Sequence, residues 1–91
     1  MKNGWKPERL CHELEEVAEK LFVEIRRDQG SFQTGACVLQ GRKILLINSR
    51  QPIDERISCL AREIARSNFN FFYLKPAVRA EVERYAALEA R

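Results

Sequence analysis

Apolar residues recur at helical spacing in the first quarter of the chain. They follow one another at intervals of four, three and four residues, at Leu10, Leu14, Val17 and Leu21. This is the period at which side chains return to one face of an α-helix. Pro7 fits the first turn of a helix, where its missing N–H costs nothing. The pattern therefore predicts an amphipathic helix over about residues 8–20, preceded by a flexible leader at residues 1–6.

The next three segments have the patterns of β-strands. Residues 23–26 alternate between apolar and charged, which is typical of a half-buried strand. A second strand is predicted over residues 34–39 and a third over residues 43–48. The short segment 40–42 contains a glycine and predicts a hairpin between them. Because residues 44–47 are all apolar, the third strand is expected to be the central one.

Two further helix patterns flank an aromatic segment in the second half of the chain. Pro52, with acidic residues two and three positions later, marks the start of a helix. Its apolar stripe consists of Ile53, Ile57, Leu60, Ala61 and Ile64. Residues 69–73 are mostly aromatic and predict a strand-like or extended segment. Pro76 begins a last helix, which is expected to reach about residue 89.

The order of these elements predicts the fold class. A helix is followed by three strands, a helix, a short connector and a C-terminal helix. Strands joined by short turns favour an antiparallel sheet with the helices on one face, which is an α+β domain. A chain of 91 residues is long enough for one modest core, so residues 1–91 are expected to form a single domain.

Charge and hydropathy narrow the classes of function. Sixteen Lys and Arg are interspersed with thirteen Asp and Glu. This mixed pattern mainly supports solubility, whereas a protein that binds a polyanion usually has its basic residues clustered in a stripe. The alternative is a nucleic-acid-binding module whose basic face surrounds the hairpin, at Arg26, Arg27, Arg42, Lys43 and Arg50. No apolar stretch reaches the ~18 residues of a membrane span, and the first residues lack the pattern of a signal peptide. The sequence therefore predicts a cytoplasmic protein without a membrane partner.

The cysteines and the single histidine do not form a recognised metal or catalytic motif. Cys11, Cys37 and Cys59 are odd in number and widely spaced, which argues against a disulfide framework. A zinc site that included His12 would lack the usual spacing of two to four residues between ligands. His12 and Glu16 are one turn apart and are expected to form a surface pair. We therefore predict no metal and no cofactor, and interpret the cysteines as small buried thiols.

The second helix carries the most informative polar residues. Arg62 and Arg66 are four residues apart and share a face nearly opposite the apolar stripe, with Glu63 at its margin. A guanidinium has no lone pair with which to ligate a metal. Cys59 is predicted on the same face, where two positive charges would lower the pKa of a thiol and make it redox-sensitive. The arginines are interpreted either as an ion-paired surface, with Glu55, Glu63 or the last helix, or as a binding site for an acidic partner or phosphate.

This helix and the elements before it resemble a known family. The stretch from Leu14 to Asn68 is similar to the minimal zincin core of the ImmA/IrrE-like zinc metallopeptidases. The resemblance lies in the helix ending A-E-K-L, the strand V-E-I, the hairpin G-R-K-I-L-L-I-N and the helix entered through P-I-D-E-R. The family's helix continues A-H-E-L-G-H, whereas this chain reads A-R-E-I-A-R from residue 61. The resemblance places Arg62 and Arg66 at the metal-ligand positions and Glu63 at that of the general base.

Two hypotheses about function follow. The first is a non-enzymatic protein–protein interaction module on a catalytically dead zincin-like scaffold, which binds another protein or a second copy of itself. Its candidate contact residues are Arg62, Glu63, Arg66, Phe69, Phe71 and Tyr73. In an extended segment these three aromatic side chains would point to one side, while the run as a whole would mainly fill the core beneath the last helix. The second hypothesis is the nucleic-acid-binding module described above.

Overall fold

The computed structural model describes residues 4–89 and confirms the α+β class. Its elements are helix α1 (Pro7–Leu21), strands β1 (Glu24–Asp28), β2 (Gly35–Leu39) and β3 (Arg42–Asn48), helix α2 (Ile53–Ala65), a short 3-10 turn (Phe69–Phe71) and helix α3 (Pro76–Glu89). The order of helices and strands matches the prediction. The predicted leader lies partly outside the described residues, at 1–3. Within its remainder, the Trp5 side chain packs against the core.

The hairpin between β2 and β3 forms as predicted. The two strands are antiparallel, and Leu39 pairs with Arg42 on either side of a two-residue loop. The φ angles of Gln40 and Gly41 are 51° and 78°. Positive φ at both loop positions is the signature of a type I′ turn, whose twist matches that of the strands. β3 is the central strand, as the apolar run 44–47 predicted.

The prediction of a wholly antiparallel sheet is wrong, because β1 runs parallel to β3. The strand order is β1-β3-β2, and Ile25 pairs with Leu45 in a parallel register. Segment 29–34 carries the chain past β3, so that β2 forms on the far side. This arrangement gives the most apolar strand a hydrogen-bonded neighbour on each side. The sheet is therefore mixed.

The core lies between one face of the sheet and the three helices. Leu45 and Ile47 project from β3 into a cluster with side chains from all three helices, including Leu14, Leu60 and Val82, each fully buried. The other face of β3 carries Ile44 and Leu46. α2 packs against α1, α3 and β2, and so is the most enclosed helix.

A buried polar network joins the segment before β2 to the turn after β3. The side-chain amide of Asn48 donates to the carbonyl oxygens of Gly30 and Phe32, and its backbone N–H donates to Thr34 Oγ1 at 3.0 Å. The N–H of Thr34 donates to Gln51 Oε1 at 3.1 Å. These side chains have their hydrogen bonds satisfied inside the protein, which is the condition for burying polar groups at little cost.

The aromatic segment is not extended as predicted. The N–H of Phe72 donates to the carbonyl of Phe69, which closes a single 3-10 turn. Phe69 is 8% exposed, whereas Phe71 and Tyr73 are 83% and 79% exposed. Because the chain turns here, the three aromatic side chains do not share one side.

Within residues 4–89, no helix has the length and apolar character of a membrane span.

Candidate interaction site

The polar stripe of α2 faces helix α3. Ser58, Arg62 and Arg66 are spaced four residues apart, so they lie along one side of α2. Tyr85 on α3 donates a hydrogen bond to Ser58 Oγ at 2.8 Å, and the Arg62 guanidinium lies 5.9 Å from the centre of the Tyr85 ring. This side of α2, which the sequence places nearly opposite the apolar stripe, is therefore partly covered by α3.

Arg66 is held by two carboxylates. Its Nε and Nη2 donate to the two oxygens of Glu89 at 3.0 and 3.2 Å, a bidentate arrangement, and Glu63 lies 3.6 Å from its Nη1. The hydrogen bond from Arg66 lowers the pKa of Glu89 below its ordinary value and correspondingly raises the pKa of Arg66. The predicted ion pairs with Glu63 and with the last helix are present. The Arg66 guanidinium is therefore already engaged within the protein.

Glu63 points towards strand β2 rather than into solvent. Its side chain is 15% exposed. A Cβ added to Gly35 would lie 3.6 Å from Glu63 Oε2, so the carboxylate occupies the space beside that glycine. Arg62 and Arg66 flank this carboxylate along the helix.

Cys59, which was predicted to be a redox-sensitive thiol, is buried. The residue is 7% exposed, and its Sγ lies 3.6 Å from Gln51 Nε2, which donates to it. The turn after β3 covers this side of α2, which the spacing of residues within the helix could not indicate. The side chain is therefore enclosed beside the polar network. The structure gives no support to a redox-sensitive thiol at this position.

Phe71 and Tyr73, which we call the aromatic pair, are two exposed side chains on a segment fixed at both ends. Phe69 is buried on one side of the pair and Leu74, 2% exposed, on the other. Lys75 Nζ bonds Glu13 Oε2 at 3.0 Å and ties the segment to α1. Tyr73 also borders a cleft of about 130 Å³, lined further by Glu13, Glu16, Val17, Lys20, Lys75 and Val78. Charged side chains therefore border the exposed Tyr73 ring.

The basic residues around the hairpin do not form one surface. Arg26 and Arg27 are consecutive in β1 and project to opposite faces of the sheet. Arg26 and Arg42 share the carboxylate of Glu24, at 2.7 and 3.6 Å. Arg27 binds Glu15 on α1 at 3.0 Å and Glu19 at 3.6 Å. The two remaining residues are Lys43, which lies over the Phe22 ring, and Arg50, exposed at the turn after β3.

Metal-ligating groups are scattered over the part of the chain that the structure describes. Within residues 4–89, no three His, Cys, Asp or Glu side chains are grouped so that they could hold a metal ion. His12 and Glu16 form the expected surface pair, with 3.0 Å between Nε2 and Oε2. All three cysteines are free thiols.

Sequence reasoning missed two features of the structure. It predicted pairing with the last helix but did not identify Tyr85 and Glu89 as the partners, although these two are four residues apart, the same spacing as Arg62 and Arg66. The second is the uncharged edge strand β2, whose Val38 is 68% exposed. Its composition G-A-C-V-L was visible in the sequence.

Comparison with known proteins found no match to a family model, a curated protein sequence or a solved structure.

Proposed function

We propose that this protein is a non-enzymatic protein-binding module whose main contact is the aromatic pair, Phe71 and Tyr73. The observation that carries the proposal is the exposure of these side chains, 83% and 79%, on a segment anchored by buried residues at both ends. Large exposed aromatic side chains are enriched at the centres of protein interfaces. A fixed backbone reduces the conformational entropy lost on binding.

The scaffold that presents the pair is, in this proposal, a degenerate relative of the ImmA/IrrE-like metallopeptidases. Its support is the sequence of α2, in which guanidinium groups replace both imidazoles around Glu63. The contacts of Arg62 with Tyr85 and of Arg66 with Glu89 give these side chains a bracing role between α2 and α3. Cytoplasmic residence belongs to the same proposal, because free cysteines are typical of reducing compartments.

The test replaces the aromatic pair and leaves the fold intact. Cells expressing Phe71→Ser/Tyr73→Ser are compared with cells expressing the wild type and Val23→Ser, a control in which another exposed apolar side chain is removed outside the aromatic segment. Cross-linking followed by quantitative mass spectrometry measures bound proteins. We expect partners shared by the wild type and the control to fall by about tenfold or more in the double variant.

Two results would overturn the proposal. One is a specific partner bound equally by all three proteins, provided that circular dichroism shows equal folding. The other is salt-sensitive binding of DNA or RNA that Arg26→Ala/Arg42→Ala abolishes, since phosphate contacts weaken as salt rises. The second result would establish the nucleic-acid-binding alternative.

A further inference from the structure

The two edges of the sheet differ sharply in charge. Four of the five residues of β1 are charged, Glu24, Arg26, Arg27 and Asp28, which is a common protection of an edge strand against pairing with another chain. β2 has five residues and no charge or proline. Its Val38 and Leu39 are 68% and 45% exposed. Within residues 4–89 no strand pairs with its outer side. The Glu63 carboxylate lies beside Gly35, so the part of this edge without a charged neighbour in the strand itself or beside it is residues 36–39.

The hairpin determines which groups of β2 face outward. Leu39 and Arg42 flank the two-residue type I′ loop, so they form a hydrogen-bonded pair. Hydrogen-bonded and non-hydrogen-bonded pairs alternate along an antiparallel ladder. Cys37 therefore also directs its N–H and C=O to β3, while Ala36 and Val38 direct theirs away from the sheet. The free edge of β2 thus offers two donors and two acceptors.

We propose that β2 pairs with β2 of a second copy of this chain, antiparallel and centred on Cys37, to form a continuous six-stranded sheet. In this register Ala36 of each copy lies opposite Val38 of the other, and all four outward groups on each strand are hydrogen-bonded. Identical antiparallel strands related by a twofold axis form a closed dimer. The proposal goes beyond the proposed function, because Phe71 and Tyr73 take no part in it.

Side-chain size favours a second copy as the occupant of this edge. In the register centred on Cys37, exposed Val38 of each copy lies opposite Ala36 of the other. A large apolar side chain therefore meets a small one at both positions, and the segment A-C-V is complementary to itself. Such pairs across neighbouring strands are the unit of sheet stabilisation. An unrelated peptide would not be expected to have the same complementary order of small and large side chains.

The neighbouring registers are blocked at both ends of the strand. A shift in one direction would pair Val38 with Thr34, but the Thr34 N–H already donates to Gln51 Oε1 at 3.1 Å. The opposite shift would pair Ala36 with Gln40, which is in the turn with a φ of 51°. The register centred on Cys37 is therefore the one that uses the whole free edge.

This register makes a specific prediction about Cys37. Residues opposite each other in a non-hydrogen-bonded pair have Cα atoms about 4.5 Å apart. Disulfides form between Cα atoms separated by about 4.4–6.8 Å. The two Cys37 thiols of the dimer can therefore be cross-linked by an added oxidant, whereas Cys11 and Cys59 are buried within each copy.

The experiment combines association with cross-linking on the purified chain. Sedimentation equilibrium over a concentration series measures the dimer dissociation constant, and copper-phenanthroline oxidation under air traps thiol pairs. We expect a reversible dimer, and a cross-link that peptide mapping assigns to Cys37–Cys37. Val38→Lys adds a charge to the free edge and should raise the dissociation constant by about tenfold or more. Val23→Lys is the matched control, because Val23 is 67% exposed but lies outside β2.

Two further variants make the result decisive. Cys37→Ser should abolish the cross-link and keep the reversible dimer, since no thiol is needed for pairing. Phe71→Ser/Tyr73→Ser should dimerise like the wild type, which separates this proposal from the proposed function. A chain that stays monomeric at ~1 mM, a concentration at which even weak complexes form, would overturn the proposal. So would a dimer that Val38→Lys and Val23→Lys affect equally.

Discussion

At the scale of single residues, burial separates the three thiols. Burial and the nearby carboxylate of Glu15 raise the pKa of Cys11, and Cys59 is enclosed by the turn after β3. Cys37 is partly exposed on the outer face of the sheet. Because the thiolate is the reactive form, we expect a disulfide reagent at pH 8 to modify Cys37 first and Cys11 and Cys59 at least about tenfold more slowly. Timed labelling with peptide mapping checks this order, and equal rates would contradict it.

The Arg66–Glu89 pair makes stability depend on pH at the residue scale. Because the hydrogen bond from Arg66 lowers the pKa of Glu89 in the folded state, the ionised Glu89 carboxylate stabilises the fold at pH values above its ordinary pKa of 4.5. This contribution is lost as pH falls through the folded pKa. We expect Glu89→Gln to lower the melting temperature slightly at pH 7 and by less at pH ~3, where a larger fraction of Glu89 is protonated. Arg66→Gln should abolish the same pH-dependent contribution to the melting temperature, because it removes the other half of the pair. A deficit of equal size at both pH values would refute this role.

At the scale of elements, α2 is the centre of the molecule. Leu60 is fully buried between the sheet and the other helices. Leu60→Ala is expected to lower the free energy of unfolding by about 2–5 kcal/mol, because it removes apolar contacts and leaves a cavity. Leu88→Ala, on the 49% exposed side chain of α3, should change it by less than about 0.5 kcal/mol. Urea denaturation measures both, and similar losses would contradict the packing described for α2.

The hairpin offers an element-scale test in the stabilising direction. Gln40 has a φ of 51°, a region that asparagine and glycine enter at lower cost. Gln40→Asn would create the preferred Asn-Gly loop and is expected to raise the free energy of unfolding by about 0.5–1 kcal/mol. Gly41→Ala, at a φ of 78°, should lower it. If neither change alters the urea midpoint, the loop does not have the type I′ conformation.

The sequence determined the elements of this fold better than their arrangement. Apolar spacing located α1, α2 and the hairpin, because local periodicity reports the face that each element buries. It could not show that β1 and β3 are parallel, since that depends on the path of segment 29–34. Nor could it show what covers each flank of α2, so the surroundings of Cys59 and Arg62 emerged only from the structure. The turn at Phe69–Phe71 depended on tertiary burial of one aromatic ring.

At the scale of the whole molecule, the non-enzymatic proposal predicts that zinc does not change the melting temperature of the protein. A metal that binds the folded state raises its melting temperature through mass action. Because guanidinium groups replace both imidazoles of the family motif, we expect the same melting temperature with EDTA and with zinc in slight molar excess. Differential scanning calorimetry makes the comparison. A zinc-dependent increase, or peptide cleavage that EDTA abolishes, would overturn the proposal.

The central position of β3 has a consequence for how the chain reaches its fold. β2 and β3 are joined by two residues and can pair locally, whereas β1 must close a much longer stretch of chain. In a chain emerging from the ribosome, α1 and β1 are made first and are present when β3 appears. The most apolar strand therefore finds both of its neighbours already synthesised. This order of synthesis shortens the time during which the exposed apolar hairpin of one nascent molecule can associate with that of another.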